Sequence, residues 1–553
     1  MSTNESRTNE STTTTDRTPV DGADVCVIGA GPAGALLSHS LAKRGHDVVI
    51  LEAGPRFDKE SRVDRMKLQI HPDREVNEIW DMGGERDEYT NSSERPLPLN
   101  KRRVKGVGGT SLHWGSVTPR FRPRDFEMQT RHGVGKDWPI SYEDLRPYYA
   151  EAEQEIGVAG PDDAPHQPPR EEEYPMDPLP RSYSDKLFAK AGESLGIDVQ
   201  QEPMAINDGT YDRNQCQGYG TCEHVCPSGA KYSADIHVDK AEEQGATVLT
   251  EVPVQRLEHG PDGEEVTAAV YETPDGETHR QTADTFVAAA GAYETPRLLL
   301  LSASDQYPNG LANSSGTVGK YVMDHGGGFV IGLLPDEETH VSEYGPVVSG
   351  GVFQFYDEDE PTGGINIMLV NVPEPSVAEV AIGSDKIGDA LLDQVDLQYG
   401  NTLGMSIVTE MLPREDNTIT LDESTTDDRG NPVPDVDISD GQYVKDATEK
   451  AVSESTALIE ELGGNVVLSQ GTHTPDADYI EDTKGGYHPM GGTRMGEDPS
   501  ESVVDPTLKT HDLDNLYISG GGVFVTGGGS NPTLTIMALS LKAADHIHEE
   551  LRS

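Results

Sequence analysis

Three of the four cysteines of the chain lie close together in residues 216–227, which read CQGYGTCEHVCP. They are Cys216, Cys222 and Cys226, and a disulfide would use two of them and leave the third unexplained. A zinc ion could bind all three with His224, but a Cys-x-His-x-Cys run is unlike the usual zinc spacings. An iron–sulfur cluster also takes thiolates, and the final Cys-x₃-Cys-Pro is similar to the end of a bacterial ferredoxin motif. The pattern favours a cluster with three cysteine ligands, [3Fe–4S], and leaves zinc as the alternative.

A second group of residues has the spacing of a phosphate site. Gly29, Gly31 and Gly34 form a G-x-G-x-x-G pattern. There a bare backbone lets a pyrophosphate approach a helix N-terminus, with its unpaired N–H groups and positive dipole end. Glu52 follows 18 residues after the last glycine, where a carboxylate can bind ribose hydroxyls. The pattern predicts a dinucleotide site and does not by itself distinguish NAD from FAD.

The segments around these glycines are the elements that must position them. DVCVIG is a short apolar run before the glycines and predicts a buried strand. PAGALLSHSLAKRG has apolar residues at helical spacing, with Pro32 in the first turn, where a missing N–H costs nothing. DVVILE predicts a second strand that ends at Glu52. The fourth cysteine, Cys26, is expected to be an inert core thiol of the first strand.

The chain carries an extreme acidic excess. Its 553 residues include 97 Asp and Glu against 43 Lys and Arg, which gives a formal charge of −54. The acids are spread over segments with apolar periodicity, which argues against a disordered acidic tail. Such a charge repels itself unless salt screens it, since the Debye length is about 3 Å at molar salt. We expect a salt-rich cytoplasm, and we exclude direct nucleic-acid binding because phosphates would be repelled.

The sequence predicts neither a membrane span nor an export signal. It contains no run of 18 apolar residues, the length that a spanning helix needs. Residues 1–20 are rich in Ser, Thr and Asn and lack an apolar segment, which predicts a disordered tail. We expect reduced thiols and a cytoplasmic location, or a peripheral one at the membrane through a partner subunit.

Five further segments follow one another in a recognisable order. Together they resemble, over nearly the whole length, the glucose–methanol–choline (GMC) flavoprotein oxidoreductases. The cysteine loop and GGTSLHWG are most similar to catalytic subunits of FAD-dependent sugar and sugar-acid dehydrogenases, with pyranose oxidases next. The segments are GVGGTSLHWGSVTPRF (106–121), AAAGAYETPRLLLLSAS (288–304), VGKYVMDH (318–325), EMLPREDNTITLDESTTDDRGNP (410–432) and the C-terminal stretch that begins YHPMGGTRMG.

The resemblance implies an α/β fold. A discontinuous Rossmann-type FAD-binding domain would carry an inserted substrate domain made of a β-sheet and helices. Within the second segment we expect a strand, a turn and a helix that begins at Pro296. The expected parts are a disordered tail (1–20), three FAD-binding segments (21–124, 234–320 and 485–553), an irregular cysteine-bearing region (125–233) and a substrate domain (321–484).

The resemblance also implies FAD as the cofactor and indicates which residues contact it. Gly109 and Thr110 would contact the flavin, and the backbone of Val254 would hold the adenine end. His113 occupies the position through which some relatives bind FAD covalently, whereas others do not. Many relatives have Asp-Gly in the C-terminal loop, where this chain has two glycines. The flavin's pyrimidine side would be lined by Gly521, Asn531, Pro532 and Thr533.

Two of the matched positions carry the family's chemistry. His488, in YHPMGG, matches the catalytic histidine, and Asn531, in GSNPTLT, matches its partner. Oxidation of an alcohol requires a base for the hydroxyl proton, besides a flavin that accepts the hydride. Imidazole suits the proton step because its unperturbed pKa lies near neutrality, and an Asn amide can hydrogen-bond oxygen without competing for the proton.

The chain is therefore expected to be an FAD-dependent dehydrogenase that oxidises a CH–OH group of a sugar, sugar acid or polyol. Its electrons would pass through the iron–sulfur cluster to an acceptor other than O₂, namely a partner subunit, cytochrome or quinone. Related sugar dehydrogenases carry a cluster in this loop, although the Cys-x₅-Cys spacing here is one residue longer. The alternatives are an O₂-using alcohol or pyranose oxidase, a flavin electron-transfer module without its own substrate, and an NAD-linked Rossmann dehydrogenase.

Overall fold

The structure is a computed structural model that describes residues 17–69, 76–93, 97–335, 345–357, 363–371, 377–471 and 485–553. Residues 1–16 of the predicted tail lie outside the described residues. The strands are Ala23–Ile28 (β1), Val48–Leu51 (β2), Thr90–Asn91 (β3), Gln200–Gln201 (β4), Thr247–Leu249 (β5), Val254–His259 (β6), Val266–Glu272 (β7), Thr278–Gln281 (β8), Ala283–Ala288 (β9), Gly326–Leu333 (β10), Val348–Val352 (β11), Ile365–Val370 (β12), Thr402–Thr409 (β13), Thr418–Thr426 (β14), Pro432–Asp437 (β15), Asn465–Gly471 (β16) and Leu516–Ile518 (β17).

The α-helices of the described residues lie between and after these strands. They are Pro32–Lys43 (α1), Arg62–Gln69 (α2), Val76–Ile79 (α3), Pro123–Phe126 (α4), Met128–His132 (α5), Tyr142–Ile156 (α6), Tyr183–Leu195 (α7), Asp235–Glu243 (α8), Gly291–Leu301 (α9), Val377–Gly383 (α10), Asp389–Gln398 (α11), Gln442–Glu461 (α12) and Thr533–Glu550 (α13).

A parallel sheet in the order β17-β9-β1-β2-β5 forms the centre of the fold. Its strands come from distant parts of the chain, and each is short and largely buried. From β1 the chain moves outward one way, to β2 and β5, whereas β9 and β17 are added on the other side. Ligands of open α/β sheets bind outside the carboxyl ends of the strands at such a reversal. The predicted discontinuous Rossmann-type fold is confirmed.

Helix α1 packs against both α8 and α13, and α13 also packs against α6. Pro32 begins α1, as predicted, because the first turn of a helix leaves its N–H groups without intrahelical partners. Ten of the twelve residues of α1 are buried. A helix that is apolar all round lies inside a layer of other elements, which places the glycine-rich turn before α1 on a rigid support.

A second sheet, in the order β16-β10-β13-β12-β11-β4, supplies the inserted substrate domain of the predicted fold. Its strands pair antiparallel, and α12 packs on one face of it. Residues 472–484 at the end of the expected insert lie outside the described residues. The domain boundaries given by the sequence stay predictions.

Two local expectations are wrong. Residues 125–233 are not irregular throughout, because α6 and α7 lie within them. Each of these helices begins with a serine capping box, Ser141 with Asp144 and Ser182 with Asp185, which satisfies the first unpaired N–H groups. Helix α9 begins at Gly291 rather than at Pro296, which lies inside it. As the sixth residue of the helix, Pro296 removes one intrahelical hydrogen bond, the one that its N–H would have made to the carbonyl oxygen of Ala292.

No helix of the described residues is both long and apolar enough to cross a membrane.

Candidate active site

The glycine-rich turn after β1 has the close backbone contacts that only glycine permits. A Cβ atom at Gly34 would lie 2.0 Å from the carbonyl oxygen of Gly29, and one at Gly29 would lie 2.6 Å from that of Ala289. A Cβ atom at Gly31, in contrast, would meet only the Cα atom of Gly109, at 4.0 Å. Two of the glycines therefore allow the turn to pack, whereas the third leaves room for a ligand.

Glu52, at the end of β2, is 6% exposed. Its two carboxylate oxygens accept the backbone N–H groups of Ala30, at 2.8 Å, and of Gly54, at 2.9 Å. Burial raises the pKa of this carboxyl, and the two N–H groups act in the opposite direction. The carboxylate is thus fixed beside the turn, where its remaining lone pairs can accept hydrogen bonds.

A cavity of about 670 Å³ extends from this turn into the substrate sheet. Gly34 and the three clustered cysteines do not line it, although His224 of the cysteine loop does. The predicted residues that do line it are Gly29, Gly31, Glu52, Gly109, Thr110, His113, Val254, His488, Gly521, Asn531, Pro532 and Thr533.

The two expected catalytic residues meet in this cavity. The side-chain nitrogen of Asn531 lies 3.1 Å from Nε2 of His488. Asn531 stands just before α13, and His488 belongs to a turn that contacts the C-terminal loop. A Cβ atom at Gly521 would lie 2.6 Å from the carbonyl oxygen of Pro489, so glycine is needed for that contact.

His325, for which the sequence predicts no role, fixes the position of the proton on His488. Nε2 of His325 lies 2.9 Å from the carbonyl oxygen of Gly528, so this nitrogen must carry the hydrogen. Nδ1 of a neutral His325 is then an acceptor, and it lies 2.9 Å from Nδ1 of His488. His488 therefore donates through Nδ1, which leaves its Nε2 lone pair toward Asn531 and the cavity.

Asp324 holds the turn that carries His488. Its Oδ1 accepts the backbone N–H groups of His325, at 2.8 Å, and of His488, at 3.0 Å. Its other oxygen accepts the N–H group of Gly486. Asp324 and His325 directly precede β10, so the catalytic turn is fixed to the first strand of the inserted domain.

The surroundings of His488 favour its neutral form. Its enclosure by the protein, followed by the neighbouring His325, lowers the pKa of the imidazole to about 3. Burial also lowers the pKa of His325. At neutral pH both rings are uncharged, which the hydrogen-bond order above requires.

A second histidine pair lies on another wall of the same cavity. Nδ1 of His113 is 3.1 Å from Nδ1 of His224, and the two rings are stacked with centroids 4.8 Å apart. Burial lowers the pKa of His113 well below its usual range. Nε2 of His113 is buried and has no hydrogen-bond partner among the described residues, so a group bound in the cavity could use it.

Lys231 joins the loop of His113 to the cysteine loop. Its ammonium group is buried and donates to the carbonyl oxygens of Cys222, at 2.7 Å, Leu112, at 2.9 Å, and Trp114, at 3.1 Å. The three ammonium protons are thereby all used. One side chain thus links the wall of the cavity to the thiols, a contact that sequence reasoning missed.

The three clustered cysteines are free thiols in a mostly apolar cluster. Burial raises the pKa of Cys222 to about 12 and also raises that of Cys216. Burial acts in the same direction on Cys226, but hydrogen bonds from Ser228 and the Lys231 backbone lower its pKa overall. The loop therefore contains one thiol that ionises readily beside two that need a bound cation to do so.

The cavity residues fit FAD. Gly31 and Gly109 bring two bare backbone turns together, since a Cβ at Gly109 would lie 2.8 Å from the Cα of Gly31. Nε and Nη2 of Arg103, which also lines the cavity, are buried without a hydrogen-bond partner in the protein. Unpaired guanidinium N–H groups suit a diphosphate, and the glycines leave the space that it needs.

Family models match three parts of the chain. Two are described as GMC oxidoreductase and cover residues 100–326 and 413–540. The third is described as FAD binding domain and covers residues 22–68.

Individual relatives match over almost the full length. The chain is 34% identical to the fructose dehydrogenase large subunit of Gluconobacter japonicus, over 96% of this chain and 98% of that one. It is 30% identical to the 2-methyl-1,2-propanediol dehydrogenase of Mycolicibacterium austroafricanum, over 96% of each. Among solved structures, a formate oxidase of Aspergillus oryzae superposes with a TM-score of 0.66 at 16% identity, over 97% of this chain and 100% of that one.

Proposed function

This chain belongs to the GMC oxidoreductase family, whose members are FAD-dependent and act on CH–OH donors, and from that premise we propose that it is a dehydrogenase of a sugar, sugar acid or polyol. The proposal rests on the hydrogen bonds of His488. They place its hydrogen on Nδ1 and leave the unprotonated Nε2 of a neutral ring facing the cavity. An NAD-linked Rossmann enzyme, one of the alternatives, does not agree with the family.

Bound FAD supplies the acceptor for the hydride that leaves the carbinol carbon. Gly29, Gly31 and Arg103 would hold its diphosphate, and Glu52 would accept from the ribose hydroxyls. Val254 would contact the adenine, as expected from the sequence. The flavin end would lie among Gly109, Thr110, His113, Gly521, Asn531, Pro532 and Thr533.

The chain's own part in the reaction is the movement of a proton. Nε2 of His488 takes the proton of the substrate hydroxyl, and Asn531 donates an amide hydrogen bond to the same oxygen as charge develops there. Since Nδ1 of His488 already carries its hydrogen, which His325 accepts, the ring cannot present the wrong nitrogen. The imidazole is positioned before substrate arrives, which is the condition for efficient general-base catalysis.

Cys216, Cys222 and Cys226 would hold a [3Fe–4S] cluster, which supplies one-electron transfer to an outside acceptor. One zinc ion would bring thiolate sulfurs to about 3.8 Å of one another, given Zn–S bonds of about 2.3 Å. The three cysteines are not among the groups of described residues whose ligand atoms all lie within 4.8 Å.

The acceptor would be a partner subunit, a cytochrome or a quinone. The name of the Gluconobacter japonicus relative, a large subunit, indicates that this relative works in a multi-subunit enzyme. Lys231 supports the same route here, because it connects the flavin wall to the cysteine loop.

Anaerobic mixing with a panel of sugars, sugar acids and polyols tests the proposal. We expect at least one of them to bleach the flavin absorbance, with reoxidation by an artificial acceptor and little peroxide formed in air. Stoichiometric peroxide would make the chain an oxidase instead. Absence of bleaching by every compound would favour an electron-transfer module without its own substrate.

His113 is the candidate for a covalent link to FAD, since its Nε2 is unpaired at the cavity wall. Acid precipitation decides this point. Flavin that stays with the protein pellet, and is released in a His113→Asn variant, would establish the link. Complete release from the native protein would exclude it.

A further inference from the structure

Outside the cavity, where three helices meet, lie three side chains of types that can bind a metal ion. His39 is on α1, Glu155 is on the last turn of α6, and His237 is on the first turn of α8. One ligand atom from each lies within 4.8 Å of the other two. Both histidines are buried, and the side chain of Glu155 is 23% exposed.

Distances within this group are close to those of a metal site. Nε2 of His237 is 3.2 Å from Oε2 of Glu155, and Nε2 of His39 is 3.9 Å from the same oxygen. A tetrahedral zinc ion with bonds of about 2.0–2.1 Å places its ligand atoms about 3.3 Å apart. Nε2 of His39 lies farther from this oxygen than such a site requires, so the His39 ring would have to move inward.

The outer contacts of the two histidines differ in a way that suits a bound ion. The hydroxyl of Tyr232 lies 2.7 Å from Nδ1 of His237. This nitrogen can donate to the hydroxyl once Nε2 gives up its hydrogen to bind a metal. His39 is 7% exposed, and its Nδ1 has no hydrogen-bond partner among the described residues. Its Nε2 is beyond hydrogen-bond distance of Glu155, so the carboxylate does not hold this ring.

We propose that His39, Glu155 and His237 form a binding site for a divalent zinc-type ion, with water as the fourth ligand. Two imidazoles and a carboxylate with one open position are a ligand set that zinc accepts. The partial exposure of Glu155 gives solvent access to that position. None of the three residues lines the cavity, so the site is separate from the oxidation chemistry.

Two lysines lie near this site, and neither prevents binding. Nζ of Lys43 is 3.5 Å from Oε1 of Glu155, but its side chain is 62% exposed and can turn into solvent. Nζ of Lys240 is 3.5 Å from Oδ2 of Asp212, which partly offsets its charge. Oε2 of Glu155 stays available to the metal.

A bound ion would join α1, α6 and α8. Helix α1 carries the dinucleotide turn at its start, and α8 follows Lys231 closely in the chain. Because the ion binds the folded form and not the unfolded chain, it would raise the melting temperature in proportion to the logarithm of its free concentration.

Zinc titration of the chelator-treated holoenzyme tests the proposal. We expect roughly one tightly bound zinc per chain, with nitrogen and oxygen ligands at about 2.0–2.1 Å by X-ray absorption and no sulfur at about 2.3 Å. Glu155→Gln, a change at a partly exposed side chain, should weaken binding by more than about 100-fold. Tyr232→Phe, which removes only the outer hydroxyl, should weaken it by about 10- to 100-fold.

A matched control separates this site from ordinary surface histidines. His548 lies 2.7 Å from His46, and neither belongs to the group, so His548→Gln should leave the zinc affinity unchanged. The proposal is overturned if native protein binds no zinc, if its zinc has sulfur ligands, or if Glu155→Gln binds zinc as tightly as the native chain. Flavin bleaching by substrate is independent of each result, so the proposed function is tested separately.

Discussion

The cavity has two histidine pairs on its walls, and they differ in how firmly their protons are placed. His488 and His325 meet edge to face, with an Nδ1–Nδ1 distance of 2.9 Å and an interplanar angle of 75°. His113 and His224 are stacked, with a distance of 3.1 Å and an angle of 20°. Backbone carbonyls fix the outer nitrogen of His325, whereas the outer nitrogen of His113 has no protein partner.

This difference suggests a division of labour. A general base needs one defined lone pair. His488 and His325 provide it, because their contacts to rigid elements fix which nitrogen is unprotonated. The second pair joins the loop of His113 to the cysteine loop. In the proposed function it would lie between the flavin and the cluster, where no proton has to be placed.

Of these substitutions, Cys222→Ser should have the largest effect. That effect should be confined to electron transfer from the flavin to the acceptor. Loss of one cluster ligand should abolish electron transfer to the physiological acceptor, because a cluster held by three thiolates is not stable with two. Substrate-driven flavin bleaching, measured anaerobically by stopped flow, should stay at the native rate.

Iron analysis of anaerobically purified native protein is the companion measurement. About three irons per chain are expected for a [3Fe–4S] cluster. Two results would contradict electron transfer through the cysteine loop. One is zinc bound by sulfur in place of iron, and the other is turnover with the acceptor that persists in Cys222→Ser.

His488→Ala should slow flavin reduction by about 10²- to 10⁴-fold, the usual contribution of a positioned general base. The FAD content should not change, since many other residues contact the cofactor. Rapid-mixing absorbance under anaerobic conditions measures the rate, and the flavin-to-protein absorbance ratio controls for cofactor loss. A variant that reduces flavin at the native rate would remove His488 from the mechanism.

His325→Leu should slow flavin reduction by about 10- to 100-fold, because it releases the ring of His488 from its fixed orientation. His325→Gln should recover much of the rate, since an amide can donate to the backbone carbonyl and accept from Nδ1. If both variants slow flavin reduction to a similar extent, His325 acts only through packing.

The pH profile adds a readout that packing alone would not change. The base is active when neutral, so flavin reduction should fall only as the pH approaches the His488 pKa of about 3 and should be flat above it. His325 contributes to this low pKa, so its replacement by Leu should raise the pKa and move the acid limb to higher pH. An unshifted limb would show that the two rings are not coupled.

The sequence predicted those parts of the site that depend on local pattern or on family position. The glycine turn, Glu52, His488 and Asn531 were found because their neighbours in the chain form recognisable motifs. His325 was part of a segment used for the resemblance, yet its role depends on a contact with a residue 163 positions away. No local pattern reports such a contact.

The same reason explains the two other omissions. Lys231 acts through carbonyl oxygens, which carry no sequence signal. The group of His39, Glu155 and His237 combines three helices, and histidine and glutamate at those spacings resemble any polar helix face. The serine capping boxes of α6 and α7, in contrast, were readable from the sequence and were overlooked.

Lys231→Met should have the smallest effect of these substitutions, and its main effect should be on the cysteine loop rather than on substrate oxidation. The substitution keeps the length of the side chain but removes a buried positive charge close to Cys222. A positive charge stabilises the more negative, reduced form of a nearby redox centre, so its loss should lower the reduction potential of the cluster. Flavin reduction by substrate should change by less than about tenfold, as His488 is not touched.

A redox titration followed by electron paramagnetic resonance measures the potential, and Lys240→Met, at a partly exposed position, is the matched control. An unchanged reduction potential together with slowed flavin reduction would contradict this division. It would show that Lys231 affects proton transfer at His488 rather than electron transfer near the cysteine loop.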